Sequence, residues 1–510
     1  MVQKYGGTSV GKLPVKIAEE IVVPAIAKNR IAVVCSARST SSKSEGTTNR
    51  LLRAARDLWD ADSTKSMQIV EAMRQDHLDA GRSDIVVQNG EKTEAVLKQY
   101  EIDTNAVCDK LLQILESART LEDLTPQTKD MIMSVGEKLS CLYMTAVLAS
   151  RGVKATYVDM SDILDLGKTG KIPEGLYDRL AVTMGERILA LPRDTVPVIT
   201  GFFGKIPGGL LEEIGRGYTD LCAALVGIGL AAEELQIWKE VDGIFTADPS
   251  KVPTAVLLDS VTPSEAAELT FYGSEVIHPF TMDQVIRASI PIRIKNVKNP
   301  RGNGTVILPD PKDMQNRRPG FLFRDRSHST FDATSPNNPI KTPKRPSAVT
   351  VKKGIAVLNI HSKKRTRAHG FLSSIFHTLD KYALSVDLIS SSEVHISLAL
   401  HSEARLLTGS SPEEMRIESS SLRACVDDLS TWGDIDLVPN MAIISLVGTH
   451  LRSHIGIAGR FFSTLGQHGI NIEMISQGAS EINISCVIEE RQAHRALNVV
   501  HTNLFTFLET

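Results

Sequence analysis

Short runs of apolar residues alternate with longer amphipathic stretches through roughly the first 300 positions of the chain. The short runs are apolar along their whole length, which is typical of strands that are covered on both faces of a sheet. They predict strands at residues 31–35, 196–200, 235–238 and 291–294. Amphipathic stretches such as 130–150 and 219–232 predict helices between the strands. The pattern therefore predicts an α/β sandwich around a mostly parallel sheet.

The alternation of apolar runs and amphipathic stretches ends after residue 308. Prolines recur among Asn, Ser, Lys and Arg from there to residue 349, and no apolar period survives. We predict a flexible linker over residues 311–350. Its basic run, residues 341–353, could be a localisation signal or bind an anionic surface. Short basic runs are common in solvated linkers, and we favour that simpler interpretation.

The last part of the chain contains an internal repeat. Residues 370–379 align with residues 456–465 at an offset of 86, and this offset persists into the strand that follows. Each copy begins with an apolar strand and continues with a helix and two strands. We predict two copies of one small α/β module, at residues 351–435 and 436–510.

Composition narrows the class of protein. The 510 residues include 57 Lys+Arg against 60 Asp+Glu, and a net charge of −3 gives no support for nucleic-acid binding. The longest apolar stretch, 221–232, is shorter than the ~20 residues that span a membrane, and no secretory signal is visible. The six cysteines have no CxxC spacing, which predicts reduced thiols in a cytoplasmic protein and neither disulfides nor a metal site.

A lysine and two glycines lie together near the N-terminus. Lys4 is on a predicted strand and is followed by Gly6, Gly7, Thr8 and Ser9, ahead of a helix. Glycines let backbone N–H groups approach phosphate oxygens, and a nearby lysine offsets phosphate charge. Two adjacent glycines more often mark a simple turn, so both interpretations stay open at this point.

Two later segments place a charged side chain beside glycine. Glu137 follows Gly136 in a half-apolar helix, where it could hold an ammonium group in a cleft or be an ordinary surface residue. Arg216 lies between two glycines just before an apolar helix, an arrangement that suits a carboxylate clamp. Thr219 or Asp220 could be only the N-cap of that helix.

Another polar segment follows the strand predicted at 235–238. Residues 238–249 read Trp-Lys-Glu-Val-Asp-Gly-Ile-Phe-Thr-Ala-Asp-Pro. Ligands of open α/β sheets gather at the carboxyl ends of strands, which makes this turn a candidate binding segment. Its acidic residues could also be simple turn formers.

Taken in order, these motifs closely resemble those of the aspartokinases of the amino-acid-kinase family, and most of all their fungal, monofunctional form. The resemblance covers residues 2–308 and 352–505. It rests on the motifs KYGGTS, SVGEKLS, ITGFFG, GRGYTD, WKEVDGIFTADP and GSEVIHP. The repeated modules resemble paired ACT domains, and residues 474–485 resemble the family's regulatory signature. The resemblance implies a three-layer α/β/α catalytic domain at residues 1–310, followed by two ferredoxin-like ACT domains (βαββαβ).

The resemblance also implies a reaction. ATP, as its Mg²⁺ complex, would phosphorylate the side-chain carboxylate of L-aspartate to 4-phospho-L-aspartate, which opens the route to threonine, methionine and isoleucine. A carboxylate with a pKa near ~4 is ionised at pH 7, so this nucleophile needs no general base. The difficulty is to bring an anion to a polyanion, which calls for cations, backbone N–H groups and metal. A site with lysine and glycines but no obvious base suits that reaction.

The family's functional residues map onto matching positions of this chain. The resemblance implies that Lys4 stabilises the transferring phosphoryl group and that Asp220 orients Lys4 or the substrate. Arg216 would clamp the α-carboxylate of aspartate, and Glu137 would hold its ammonium group. The other implied substrate contacts are Thr48 and Thr219, and the implied nucleotide contacts are Gly6, Gly7, Thr8, Ser9, Lys239, Glu240, Phe245, Asp248, Lys251, Lys298 and Asn299.

One position departs from the family pattern. Members commonly read DPR where this chain reads Asp248-Pro249-Ser250-Lys251, so the arginine that meets the ATP phosphates is missing. We predict that Lys251 partly replaces it. Lysine cannot make the two parallel hydrogen bonds of arginine, so weaker ATP binding is expected.

The ACT pair has two compatible interpretations, a dimerisation module and an effector site. The resemblance implies feedback control, with threonine as the effector expected in fungal-type members, and a homo-oligomer formed through the ACT domains. The candidate effector contacts are Ser476, Gln477, Gly478, Ala479 and Asn483.

Two other functions stay open. One is a kinase for another acidic substrate, such as N-acetylglutamate. It is disfavoured because an acylated amine carries no positive charge for Glu137 to pair with. The other is a catalytically silent amino-acid sensor. The presence of Lys4, Arg216 and Asp220 disfavours it, although Ser250 keeps it open.

Overall fold

In the computed structural model the chain folds into two compact units. The described residues are 1–39, 46–59, 64–85, 91–166, 173, 175–206, 209–210, 214, 217–272, 277, 279–308, 346–362, 370–392, 395–401, 407–408, 416–449, 451, 454–477 and 482–506. The first unit contains the described residues up to Ile244, together with Asp259–Pro263 and the residues from Ile277 to Leu308. The second unit contains Phe245–Leu258, the described residues from Ser264 to Tyr272, and those from Pro346 onward.

A mostly parallel sheet forms the centre of the first unit. Strands β1 to β10 are Val2–Tyr5, Ala32–Cys35, Ala155–Val158, Leu164–Asp165, Val196–Thr200, Gly204–Lys205, Leu235–Lys239, Ser260–Val261, Ile292–Asn296 and Thr305–Ile307. The eight-stranded sheet has the order β3-β5-β2-β1-β7-β9-β10-β8, and only β9 and β10 run antiparallel. Strands β4 and β6 form a separate parallel pair. These pairings confirm the predicted fold class.

Helices precede and follow these strands. Helices α1 to α9 are Gly7–Lys12, Pro14–Lys16, Val23–Ile26, Thr47–Arg56, Lys65–Asp84, Glu91–Thr120, Pro126–Ala149, Leu176–Leu189 and Tyr218–Gly229, and a π-helix, Ile17–Val22, joins α2 to α3. Pro263–Phe271 and Pro279–Ala288 form α10 and α11. Apart from Pro263, α10 belongs to the second unit.

Helix α7 is the central helix of the first unit. The Thr125 hydroxyl accepts a hydrogen bond from Thr128 N at 3.1 Å, and Pro126 occupies the first turn, so the helix has a strong N-terminal signal. By length and composition alone α7 could cross a membrane, but 83% of its most apolar window is buried inside the protein. It packs against β2, β3 and β5 on one side and against helices α4, α5 and α6 on the other. Helix α7 is therefore a core helix of the first unit.

The second unit contains one six-stranded antiparallel sheet. Strands β11 to β18 are Ala348–Ser362, Val386–Ser391, His395–His401, Leu407–Thr408, Arg416–Ile417, Gly433–Val447, Met474–Ser476 and Asn483–Glu489, and helices α12 to α15 are Phe371–Lys381, Ser420–Leu429, Ile457–Gln467 and Ala493–His501. The sheet has the order β12-β13-β11-β16-β18-β17. Within the predicted linker, residues up to 345 lie outside the described part, and β11 begins at Ala348.

The two repeated modules share their two central strands. Residues 355–362 of β11 pair with 433–441 of β16 beside β13, whereas 348–352 of β11 pair with 443–447 beside β18. The first module is therefore a complete βαββαβ unit. The last strand of the second module is supplied by residues 348–352, which precede both repeats in the chain. Each module has its own apolar core, one around Leu398 and one around Phe461.

Candidate active site

Lys4 and Asp220 form an ion pair near the middle of the first unit's sheet. Lys4 is on β1, which lies between β2 and β7. Its Nζ lies 2.7 Å from Oδ1 of Asp220 in the first turn of α9, and the two side chains are 11% and 14% exposed. The carboxylate therefore holds the ammonium near the carboxyl end of β1, the edge at which parallel sheets bind ligands.

The glycines after β1 let α1 lie directly against the segment that follows β2. A Cβ on Gly7 would lie 1.9 Å from the carbonyl oxygen of Ala37, so a side chain cannot fit there. The carbonyl oxygen of Gly7 accepts a hydrogen bond from Ser39 N at 2.9 Å. A Cβ on Gly6 would meet no atom within 4 Å, which leaves the backbone of the turn accessible to a ligand.

Glu137 is buried on α7, which excludes its interpretation as a surface residue. Its Oε1 accepts a hydrogen bond from the Thr219 hydroxyl at 2.6 Å, and its Oε2 makes none among the described residues. Burial raises the pKa of Glu137 to about 7, although the Thr219 hydroxyl, the Phe202 backbone, the Tyr218 side chain and the Lys4 ammonium favour the ionised form. A buried carboxyl with an oxygen to spare can accept a hydrogen bond from an ammonium group.

Gly201, just after β5, lets Glu137 and Thr219 meet. A Cβ there would lie 2.5 Å from Cγ2 of Thr219 and 2.8 Å from Oε1 of Glu137. Any side chain at this position would displace the hydrogen-bonded pair. The residue belongs to the ITGFFG motif, but sequence reasoning did not assign it to the site.

The segment that follows β2 joins three parts of the site. The Ser140 hydroxyl on α7 accepts a hydrogen bond from Arg38 N at 2.6 Å and donates one to the carbonyl oxygen of Gly136 at 3.0 Å. Thr47 N, at the start of α4, donates to the carbonyl oxygen of Arg38 at 3.0 Å. Thr48 follows in the same turn and is partly exposed. Arg38 and Ser140 were not predicted as site residues, because nothing in their local pattern indicates these contacts.

Lys239 and Glu240 lie at the carboxyl end of β7. The carbonyl oxygen of Lys239 accepts a hydrogen bond from Val297 N at 2.9 Å, which joins this end to that of β9. Oε1 of Glu240 accepts a hydrogen bond from the buried hydroxyl of Ser9 at 3.2 Å. The start of α1 and the end of β7 are therefore in contact.

Asp242 organises the residues after β9. Its Oδ1 accepts hydrogen bonds from the side-chain amides of Asn296 and Asn299, at 3.2 and 3.1 Å. The backbone N–H of Lys298 donates to Oδ1 of Asn296 at 2.9 Å. The predicted residues Lys298 and Asn299 thus lie beside the end of β7. Asp242 was missed, although its place in the WKEVDG motif was a signal.

Phe245, Asp248 and Lys251 belong to the second unit. Oδ1 of Asp248 accepts hydrogen bonds from the backbone N–H and hydroxyl of Ser250, at 3.0 and 2.6 Å, and Oδ2 lies 2.6 Å from Nζ of Lys251. Partial burial disfavours the carboxylate, but the bonds from Lys251 and Ser250 outweigh it and hold the pKa of Asp248 below its usual range. Lys251 is therefore already paired with a carboxylate next to it.

Of the predicted effector contacts, Asn483 has clear partners in the second unit. Its side-chain amide donates to Oε2 of Glu268 on α10 at 2.6 Å and lies 3.5 Å from the Tyr272 hydroxyl. Burial raises the pKa of Glu268, and the bond from Asn483 opposes this shift. Ser476 ends β17, and Gln477 follows it. Gly478, Ala479 and the predicted clamp Arg216 lie outside the described residues.

The charges of the first unit suit a small zwitterion and a polyanion. Lys4 supplies a fixed cation, the turn at Gly6 supplies backbone N–H groups, and Glu137 supplies a buried acceptor. Among the residues that the structure describes, no group of three or more His, Cys, Asp or Glu side chains is placed to hold a metal ion. The arrangement can stabilise negative charge on a transferring group without a resident general base.

Comparisons with known proteins identify the family of this chain. A family model described as "Amino acid kinase family" matches residues 1–296, and an ACT-domain model matches residues 444–504. The chain is similar to the aspartokinase of Candida albicans, with 47% identity over 99% of this chain and 90% of that protein. It is also similar to the aspartokinase of Schizosaccharomyces pombe, with 48% identity over 99% of this chain and 92% of that protein.

The structure is similar to solved aspartokinase structures. One is E. coli aspartokinase III in complex with aspartate and ADP, with a TM-score of 0.71, 25% identity and 99% coverage of both chains. The same enzyme in complex with lysine and aspartate matches with a TM-score of 0.70 and the same identity and coverage. The chain therefore belongs to the amino acid kinase family, and within it to the aspartokinases of the fungal type.

Proposed function

We propose that this kinase transfers the γ-phosphoryl group of MgATP to the side-chain carboxylate of L-aspartate, which forms 4-phospho-L-aspartate. The observation that carries the proposal is that the first turn of α9 contacts both a buried acceptor, Glu137, through Thr219, and a fixed cation, Lys4, through Asp220. A free amino group and a carboxylate held at fixed separation are what such a site selects. The E. coli relative whose structure contains aspartate and ADP supports the same substrates.

In this proposal the chain's own residues position two anions. Lys4, oriented by Asp220, neutralises charge on the phosphoryl group as it transfers. Glu137 and Thr219 hold the substrate ammonium, Arg216 its α-carboxylate, and Thr48 contacts the substrate from the start of α4. The substrate carboxylate is already ionised, so attack on phosphorus needs only alignment and charge stabilisation. Mg²⁺ would enter with the nucleotide and would supply further positive charge for the transferring phosphoryl group.

The nucleotide is assigned to the turn after β1 and to the segments after β7 and β9. The proposed contacts are Gly6, Gly7, Thr8, Ser9, Lys239, Glu240, Phe245, Asp248, Lys251, Lys298 and Asn299. The contact between Ser9 and Glu240 and the hydrogen bond from Asn299 to Asp242 support the part of this assignment that lies in the first unit, because they bring its segments together at one edge of the sheet.

We further propose that the reaction is the first step towards threonine, methionine and isoleucine in the cytoplasm, in a homo-oligomer formed through the ACT domains. Threonine is the proposed effector, with Ser476, Gln477, Gly478, Ala479 and Asn483 around it. Threonine titrated into the full-length protein should bind and lower the initial rate, whereas a lysine-only response would contradict this assignment.

The reaction is tested by trapping the acyl phosphate with hydroxylamine. Purified protein with MgATP and L-aspartate should give aspartyl hydroxamate and one ADP for each product molecule. N-acetylaspartate and N-acetylglutamate are the matched control substrates, because they lack the ammonium group that Glu137 would hold. Absence of an aspartate-dependent product would remove the proposed function, and a product from N-acetylglutamate would favour the alternative kinase.

A further inference from the structure

The last helix of the second unit, α15, packs against the segment that carries the proposed nucleotide contacts Asp248 and Lys251. This segment, residues 245–258, belongs to the same compact unit as α15. Ala247 and Val252 are buried in the same apolar cluster as Leu497 on α15. The segment is therefore part of the core of the second ACT module, although it follows a strand of the catalytic sheet in the chain.

His501, the last residue of α15, binds this segment with both ring nitrogens. It is 1% exposed, and its Nε2 lies 2.8 Å from the Thr246 hydroxyl while its Nδ1 lies 3.3 Å from the Thr254 hydroxyl. Val256 N donates to the Thr246 oxygen at 2.9 Å, and the Thr246 O–H can still donate to Nε2. With Nδ1–H donating to Thr254, a neutral histidine satisfies both hydroxyl partners.

Asn498, one turn earlier on α15, holds the middle of the segment. Its side-chain amide donates to the carbonyl oxygen of Lys251 at 3.0 Å, and to the carbonyl oxygen of His494 in its own helix at 2.9 Å. The carbonyl oxygen of Thr246 also accepts a hydrogen bond from Val349 N at 2.8 Å. The turn at Asp248 is thus fixed on both sides by the C-terminal module.

We propose that His501 and Asn498 are positioning residues for the nucleotide, acting through the segment that they hold. The inference rests on the proposed function, in which Asp248 and Lys251 contact ATP. Neither residue touches a reacting group. Each fixes the backbone that presents those two side chains, so nucleotide affinity depends on α15.

The test uses full-length variants and separates nucleotide affinity from everything else. His501→Leu removes both ring contacts, and Thr246→Val removes the same hydrogen bond from the other side. We expect each to raise KM for ATP about tenfold, the usual effect of one buried hydrogen bond, with kcat and KM for aspartate little changed. The effects of the two substitutions should be less than additive in the double variant, because both remove the hydrogen bond between Thr246 and His501. His501→Gln keeps a donor and an acceptor and should recover most of the affinity.

Ser445→Ala is the matched control. It removes a buried hydrogen bond, Ser445 to Ser485 at 2.7 Å, from the sheet of the same module without touching residues 245–258. If Ser445→Ala raises KM for ATP as much as His501→Leu does, the effect is general destabilisation and the proposal is wrong. It is also wrong if KM for ATP is unchanged in both His501→Leu and Thr246→Val, or if KM for aspartate rises equally.

Direct titration with ATP keeps this inference separate from the reaction. If the parent protein binds ATP but forms no aspartyl hydroxamate, the proposed function fails, and the dissociation constants of the variants still decide the inference. If the parent protein does not bind ATP, both fail. Thermal unfolding of each variant shows whether it is folded, and Thr246→Val serves where His501→Leu does not fold.

Discussion

Glu137 combines burial with a pKa of about 7, so near neutral pH the ligand-free protein holds this carboxyl partly protonated. An ammonium ligand favours the ionised form, and its binding must therefore release a proton in this range. We expect kcat/KM for aspartate to fall as pH decreases below 7. Glu137→Gln should lower kcat/KM by about 100-fold, remove that dependence and leave KM for ATP nearly unchanged. Initial rates measured on both sides of pH 7 check this.

Glu116→Gln is the control for this prediction, because Glu116 is exposed on α6. It should retain the pH profile of the parent protein. A Glu137→Gln variant whose KM for aspartate and pH profile match those of the parent would show that Glu137 does not bind the substrate ammonium.

The same carboxyl predicts a pH-dependent stability. In the unfolded chain the pKa is the ordinary 4.5, and folding raises it to about 7, so the native state loses stability as pH rises from 4.5 to 7. The Glu137→Gln variant has no carboxyl at this position, so its native state does not lose stability in this way. Without ligand it should therefore gain stability over the parent protein as pH rises through this range, by at most about 3 kcal/mol. Denaturant titrations at pH 5 and pH 8 measure the difference, and a constant difference between the two would contradict the prediction.

A substitution of Lys251 tests its predicted contact with the ATP phosphates. Its ammonium is paired with Asp248, so it can contact a phosphate only by sharing or leaving that carboxylate. We expect Lys251→Ala to raise KM for ATP severalfold and to leave KM for aspartate unchanged. The exposed Lys28→Ala is the control. An unchanged KM for ATP would show that Lys251 does not replace the family's arginine.

At the scale of elements, a glycine allows α7 to approach α4 and the segment after β2. A Cβ on Gly136 would lie 2.9 Å from Cβ of Ala37 and 3.2 Å from Cδ1 of Leu51. Gly136→Ala should therefore lower stability by about 1–3 kcal/mol and reduce activity. Gly227→Ala on α9 is the matched control, because a Cβ there meets no atom within 4 Å, and it should stabilise by up to about 1 kcal/mol. Thermal unfolding that shows the same sign for both would contradict this.

Elements with strong local patterns were predicted well. The run at 196–200 coincides with β5, and the helix expected from residue 130 begins at Pro126, because Thr125 caps it. The two-residue strands β4 and β6 were not predicted, because two residues show no period. Nor did any local pattern indicate that residues 245–258 join the C-terminal unit, since their partners there, such as Val349 and Asn498, are far away in the chain.

The candidate site likewise contains residues that the local sequence indicated and residues that it did not. Glycines and charges singled out Lys4, Gly7 and Glu137 as candidates, because those residue types can carry the proposed chemistry, and their roles stay predictions. The burial of Glu137 could not be predicted, since it depends on Gly201 and Thr219 far along the chain. Arg38 and Ser140 were missed for the same reason. Their roles depend on contacts between segments and not on residue type.

At the scale of the whole molecule, the shared strands predict how the second unit unfolds. Because β11 and β16 run through both modules, disorder in one module breaks hydrogen bonds of the other. Leu398→Ala in the first module and Leu446→Ala in the second, both fully buried, should lower the midpoint of the same calorimetric transition. Leu139→Ala on α7 is the control and should act on the transition of the first unit. Separate transitions for the two modules would contradict this.

The strand formed by residues 348–352 also limits how the regulatory region can be transplanted. A designer who cut at the sequence repeat and moved residues 436–510 to another protein would leave one edge of the sheet unpaired, beside Ser445. An unpaired strand edge can form hydrogen bonds with strands of other chains. A portable version of the second module has to be a permuted one, with residues 348–352 attached after α15. The boundaries of the sequence repeat therefore differ from those of the structural unit that could be transplanted.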